Sequence, residues 1–139
     1  MTIAQLEQEI ISEFSMFDDW MQKYEHIIEL GKELPLIDEQ FKTDDYIIKG
    51  CQSKVWLNAE MKGGKVVYSA DSDAIITKGI ISLLLRVFNN QPPQEIISAE
   101  LTFIDEIGLK EHLSPTRSNG LLSMVKQIKT YALAFSAKA

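Results

Sequence analysis

The spacing of apolar residues changes period along the chain. Ile3, Leu6, Ile10, Phe14 and Phe17 recur at steps of three and four, which predicts one amphipathic helix. Asp18-Asp19 can cap a second helix, with Trp20, Tyr24, Ile27 and Ile28 inward and Gly31 as its C-terminal stop. Pro35 then falls in a loop. From Asp45 the period becomes two. Val55, Leu57, Ala59 and Met61 alternate with Lys54, Trp56, Asn58 and Glu60, the pattern of a half-buried strand. Gly63-Gly64 signals a hairpin, because two glycines tolerate the positive φ angles of a tight turn, and Val66, Tyr68 and Ala70 form the return strand. Tyr46, Ile47 and Ile48 read as a short preceding strand, so three antiparallel strands are predicted between about 45 and 71.

Asp71-Ser72-Asp73 can cap the next helix. There Ile76, Gly79, Ile80, Leu83, Leu84, Val87 and Phe88 follow the helical repeat closely, which predicts the central core helix. Pro92-Pro93 breaks it and can open a short helix over Gln94 to Ser98. Leu101 to Leu113 reads as short helices. The polar run Thr116-Arg117-Ser118-Asn119 precedes a last helix striped by Leu121, Val125, Ile128, Ala132 and Phe135. The predicted class is α+β: a small three-stranded antiparallel sheet with helices packed on one side.

Composition narrows the function classes. The 139 residues, 45% hydrophobic, suit one domain with its own core. The chain carries 14 basic and 20 acidic side chains, a net charge of −6. That balance speaks against a nucleic-acid partner and against an anionic membrane surface. No apolar run approaches the roughly 20 residues that cross a bilayer. Met1 to Phe17 holds three glutamates and no basic residue, unlike a secretory leader. The single cysteine, Cys51, excludes an internal disulfide, and two distant histidines add little to a metal inventory. An iron–sulfur cluster normally takes about four thiolates, so this chain cannot hold one alone. A reducing, cytoplasmic setting is expected, with no metal and no resident cofactor.

The segment with chemistry in it is Lys49-Gly50-Cys51-Gln52-Ser53-Lys54, a predicted loop at the sheet edge. Gly50 frees the backbone just before the thiol. From Tyr46 to Ala59 there are two lysines and no carboxylate, a local field that would favour the nucleophilic thiolate. Two readings stay open on these features: a small buried hydrophobe, or a reactive thiol carried on a loop.

Gly50-Cys51-Gln52-Ser53-Lys54-Val55-Trp56 resembles the signature of the SufE family, the sulfur-acceptor partners of cysteine desulfurases. Trp20-Met21-Gln22-Lys23-Tyr24 followed by Ile27-Ile28-Glu29-Leu30-Gly31 resembles the family's N-terminal helix. Asp71-Ser72-Asp73-Ala74 with Lys78-Gly79 is similar to its acidic loop and core helix, and His112 to Leu121 to its C-terminal signature. Four motifs in order cover nearly the whole chain, which is identified as a single SufE-like domain over residues 1–139 with a SufE/IscU-like fold.

The resemblance implies a sulfur acceptor rather than a stand-alone enzyme. Cys51 would take sulfur as a persulfide from a SufS-like cysteine desulfurase, stimulate that enzyme, and deliver to a SufBCD-like iron–sulfur scaffold complex. Pyridoxal phosphate would belong to the desulfurase. Gly50, Gln52, Ser53, Asp73 and Arg117 are candidate supports or partner contacts. The implied carrier shelters its thiol at rest, with Gly50 as hinge and Trp56 or the segment around His112 and Leu113 as shelter. The alternative partner is the desulfurase served by the CsdE-type branch. The chain itself would be a monomer or homodimer.

Bland alternatives stand beside each residue. Asp71 and Asp73 serve a helix cap or a partner-binding edge. Arg117 pairs with the persulfide, a partner carboxylate or a surface neighbour. His112 is a proton shuttle or an ordinary hydrogen-bonded histidine. Gly63-Gly64-Lys65 lacks the phosphate-loop pattern and is a turn. Two other classes compete with sulfur transfer: a self-contained cysteine hydrolase or peroxidase, for which only His26 and His112 could act as base, and a non-catalytic acidic adaptor.

Overall fold

A computed structural model describes residues 1–138, apart from the side chains of Lys110, Pro115 and Thr116. Thr2 caps α1 (Ile3–Phe14) in a reciprocal box with Gln5. Asp19 accepts from Gln22 N–H at 2.9 Å and caps α2 (Trp20–Gly31), as the Asp-Asp pair predicts. Strands β1 (Val55–Lys62) and β2 (Lys65–Ser72) pair antiparallel, Leu57 opposite Ala70 and Ala59 opposite Tyr68. Gly63 and Gly64 join them with φ of 58° and 79°, the geometry that a two-residue turn asks of glycine. Helix α3 (Ile75–Phe88) follows, then the short α4 (Pro93–Ser98), α5 (Phe103–Glu106) and α6 (Leu109–His112), and the long α7 (Pro115–Lys138).

Among the described residues the sheet has two strands, not three. Asp44–Tyr46 forms a 3-10 turn instead, and Ile47 makes one isolated bridge to Trp56. Between that turn and the bend at Gly50 only two or three residues are extended, too few for a ladder. Ile48 still donates its N–H to Val55 O at 2.7 Å, so the segment is tied to β1 without becoming a strand. On the other side, Pro35–Ile37 runs along β2, with Ala70 N–H to Pro35 O at 3.0 Å.

Helix α3 is the core element. Ile80, Ile81, Leu83, Leu84, Leu85, Val87 and Phe88 are all at most 2% exposed. The inward row of the hairpin (Val55, Leu57, Val66, Tyr68, Ala70) buries with it, and the Tyr68 hydroxyl donates to Ile128 O of α7 at 2.7 Å. Gly31 is the last residue of α2 rather than a left-handed stop after it. Its role is packing: a Cβ there would lie 3.0 Å from Gly79 N of α3. Two facing glycines let α2 and α3 approach almost backbone to backbone.

Asp71-Ser72-Asp73 does not cap α3 through its carboxylates, which is a second correction. The N-cap is Ala74, with no side-chain cap bond. Asp71, next to last in β2, is buried, and Lys42 lies 2.6 Å and Lys78 3.4 Å from its carboxylate. Burial opposes the charge on Asp71, yet hydrogen bonds from Lys42 and the Ser72 N–H, with Lys78 nearby, hold its pKa below the usual carboxylate value. Helix α7 also begins earlier than predicted: Pro115 opens it, as proline can in a first turn, and Arg117 therefore sits in that turn.

Candidate functional site

The loop from Lys49 to Lys54 is fixed at both stems. At one stem Ile48 is buried and bonded to Val55. At the other, Lys54 N–H donates to the Asp73 carboxylate at 2.9 Å, Asp73 N–H donates to Lys54 O at 3.2 Å, and the Ser72 hydroxyl donates to the same oxygen at 2.8 Å. Between the stems the chain turns at Gly50, φ 96°, a region few side chains accept. Gly50 also lies against Ser123 of α7 so closely that a Cβ would overlap its hydroxyl oxygen.

That turn aims Cys51 inward. The thiol is half-buried and donates to Gly120 O of α7 at 3.6 Å. It faces a cavity of about 280 Å³ lined on the loop side by Cys51, Gln52 and Ser53 and on the helix side by Ile76, Thr77, Ile80 and Met124. Arg117 also lines it and is exposed; among the described residues its side chain makes no ion pair. A larger hollow of about 480 Å³, near Met1, Leu30 and Arg86, shares no residue with it and holds no thiol.

The electrostatics correct the sequence reading. Lys49 and Lys54 are exposed, and burial pushes the Cys51 thiol up from its ordinary value. The resting sulfur is therefore a protonated thiol at neutral pH, shielded rather than activated. Among the described residues, no side chain lining the cavity is a His, Asp, Glu, Lys or Tyr, so none is a general base. His112 makes a hydrogen bond through Nδ1 with Gly108 O at 2.8 Å and stacks on Trp20 at 4.3 Å, while His26 bonds Glu13 at 2.8 Å. Among the described residues, neither histidine lines the cavity.

Of the six candidate residues, Cys51, Gln52, Ser53 and Arg117 converge on one cavity. Gly50 shapes the approach from behind, and Asp73 pins the loop stem without lining the cavity. The walls differ from those expected. Neither Trp56 nor the segment around His112 and Leu113 lines the cavity; its walls come from α3 and α7. Ile76 and Ile80 were readable as core stripe positions, but Thr77, Gly120 and Met124 carried no separate signal. Part of the C-terminal motif, the side chains of Pro115 and Thr116, lies outside the described residues. Among the described residues no three His, Cys, Asp or Glu side chains gather as a metal site, and no helix is long and apolar enough to cross a membrane.

Comparison with known proteins adds three findings. A family model described as "SufE: Fe-S metabolism associated domain" matches residues 8–132. An uncharacterized SufE-like protein of Rhizobium etli is 39% identical over 135 residues, covering 94% of this chain and 90% of that protein. A solution structure of a hypothetical protein from Thermus thermophilus superposes with a TM-score of 0.78 over 96% of this chain and 97% of that one. At 19% identity it speaks to the fold alone.

Proposed function

The chain belongs to the SufE family, with the role in iron–sulfur metabolism and sulfur transfer which that membership carries, and from that premise we propose that Cys51 is its sulfur acceptor. The donor is the persulfide of a SufS-like cysteine desulfurase, and the recipient is a SufBCD-like scaffold complex. The Cys51 thiolate attacks the terminal sulfur of the donor's R–S–SH. A sulfur–sulfur bond forms on Cys51, the donor's own sulfur–sulfur bond breaks, and the donor leaves as R–S⁻. Electrons balance without an outside oxidant, so one cysteine is enough. Pyridoxal phosphate serves the partner's chemistry and needs no site here.

One observation carries the reading: the only thiol of the chain points from a glycine-turned loop into a cavity far larger than the ~30 Å³ that one water occupies. A second sulfur on Cys51 fits there, partly screened from bulk thiols. The resting thiol, protonated by burial, is a poor nucleophile. It must ionise at the partner's surface, once the loop has left the cavity, which ties reactivity to docking. Arg117 at the cavity is the cation placed to meet the charged sulfur or a partner carboxylate.

The test is an intact mass after incubation with a cysteine desulfurase, pyridoxal phosphate and cysteine. A gain of one sulfur atom is expected, reversed by reductant and absent in Cys51→Ser. Desulfurase turnover should rise with the native chain and not with Cys51→Ser. Equal stimulation by both would make the chain an adaptor in which Cys51 is incidental. Running the desulfurase of the CsdE-type branch in parallel identifies which branch the chain serves.

A further inference from the structure

We infer that the hydroxyl pair Ser53–Thr77 is the latch that holds the Cys51 loop closed, with Thr77 a positioning residue for the acceptor sulfur. The inference rests on the reading of Cys51 as a carrier and says how its exposure is set. Ser53 Oγ and Thr77 Oγ1 are 3.0 Å apart, and Thr77 is 8% exposed on the α3 face that lines the cavity. The bonds at Ile48 and Lys54 are stem bonds: they belong to the ends of the loop and survive when its middle lifts. Residues 49–53 form that middle. Among the described residues, two side-chain bonds cross from it to the rest of the fold. One is the weak sulfur contact from Cys51 to Gly120 O at 3.6 Å, and the other is the Ser53–Thr77 bond.

Lifting the loop must break both. A thiol is a weak donor, and the sulfur contact must be given up in any transfer, whatever the loop sequence. The hydroxyl bond is the separable part. It sits two residues from the sulfur, on the stem side opposite the Gly50 turn. Gly50 therefore supplies the freedom to swing and Ser53 the restraint against it. The hydroxyls bond each other rather than the sulfur, so each acts through the position of Cys51 and not on the chemistry.

The experiment measures the alkylation rate of Cys51 by iodoacetamide in the native full-length protein at fixed pH. Thr77→Val removes the hydroxyl at nearly constant volume. Losing one neutral hydrogen bond corresponds to about a two- to tenfold larger open population, and the rate should rise by that factor. Ser53→Ala, made on the loop itself, breaks the same bond without touching the core helix and should give the same rise. Thr77→Ser keeps the hydroxyl and should alkylate at the native rate. The double variant should be no faster than the faster single one. Unchanged rates in Ser53→Ala and Thr77→Val, or a double variant at the product of the two singles, overturns the latch. The mass assay keeps the two ideas apart: a native chain that takes up no sulfur ends the carrier reading, while the alkylation rates still decide whether the latch exists.

Discussion

Gly79→Ala probes the joint on which the cavity depends. Gly79 lies inside α3, where alanine for glycine would by itself stabilise the helix by about 0.8–1.0 kcal/mol. The neighbours oppose this. A Cβ at Gly79 would overlap the main-chain oxygen of Ile27 and lie 2.6 Å from Ile27 Cγ2 and 2.8 Å from its carbonyl carbon. Overpacking costs about 1–3 kcal/mol, and backbone neighbours place it near the top of that range, because no rotamer change can relieve them. The net is a loss of about 2 kcal/mol, the upper overpacking figure less the helix gain. For a chain of this length that lowers Tm by roughly 6–8 °C. The relief available is to push α2 and α3 apart, and α3 carries Ile76, Thr77 and Ile80 of the Cys51 cavity. Alkylation of Cys51 should therefore quicken in the same variant. Thermal unfolding followed by circular dichroism measures the first effect. An unchanged or raised Tm would show that the two helices separate freely, and the close glycine contact would then hold nothing together.

The other predictions concern the sulfur and the acid end of the pH scale. Gly120→Ala should behave oppositely to Gly79→Ala, because its Cβ would meet Cys51 Sγ at 3.5 Å, an ordinary contact. It should raise stability by about 0.5–1 kcal/mol, and a lower denaturant midpoint would contradict that. The alkylation rate of native Cys51 should climb with pH to a midpoint above that of the same chain unfolded in denaturant, because burial raises the thiol; coincident midpoints would remove the shelter. Burial also works against the charge on Glu13, but hydrogen bonds from Arg86 and His26 outweigh it and hold its pKa low, as Lys42 and Ser72 do for Asp71. Both groups are lowered in the fold, so their stabilisation stands in full above the unfolded carboxylate values, about pH 4, and is lost as pH falls through the lowered ones. Glu13→Gln and Asp71→Asn should each flatten the fall of Tm on acidification; native-like slopes in both would count against these pairs.

The longer helices were legible because each rests on a local repeat. The stripe from Ile76 to Phe88 and the Gly63-Gly64 turn need no knowledge of the rest of the chain. The third strand was not legible as absent. Tyr46-Ile47-Ile48 has strand chemistry, but whether an apolar triplet pairs over one bridge or several depends on what bends the chain at either end. Asp71 shows the same limit. Its neighbours in sequence suggest a cap, yet its partners are Lys42, 29 positions earlier, and Lys78 in α3. Gly31 reads as a stop only until Gly79 is placed beside it.

At the site, the candidate thiol was legible and its environment was not. A lone cysteine between Gly50, Gln52, Ser53 and two lysines suggests an activated thiolate, since local composition is all that a loop motif reports. Direction decides instead: beyond the turn at Gly50 the sulfur meets Gly120 and a cavity lined by Ile76 and Met124, while both lysines are exposed. Apart from Gln52 and Ser53 of the loop itself, the walls of the cavity come from residues more than twenty positions distant. The consequence is physical. Protection of the sulfur depends on how α3 and α7 pack as well as on the loop that bears it, so a substitution buried between α2 and α3 can change the chemistry at Cys51 without altering a residue of its motif.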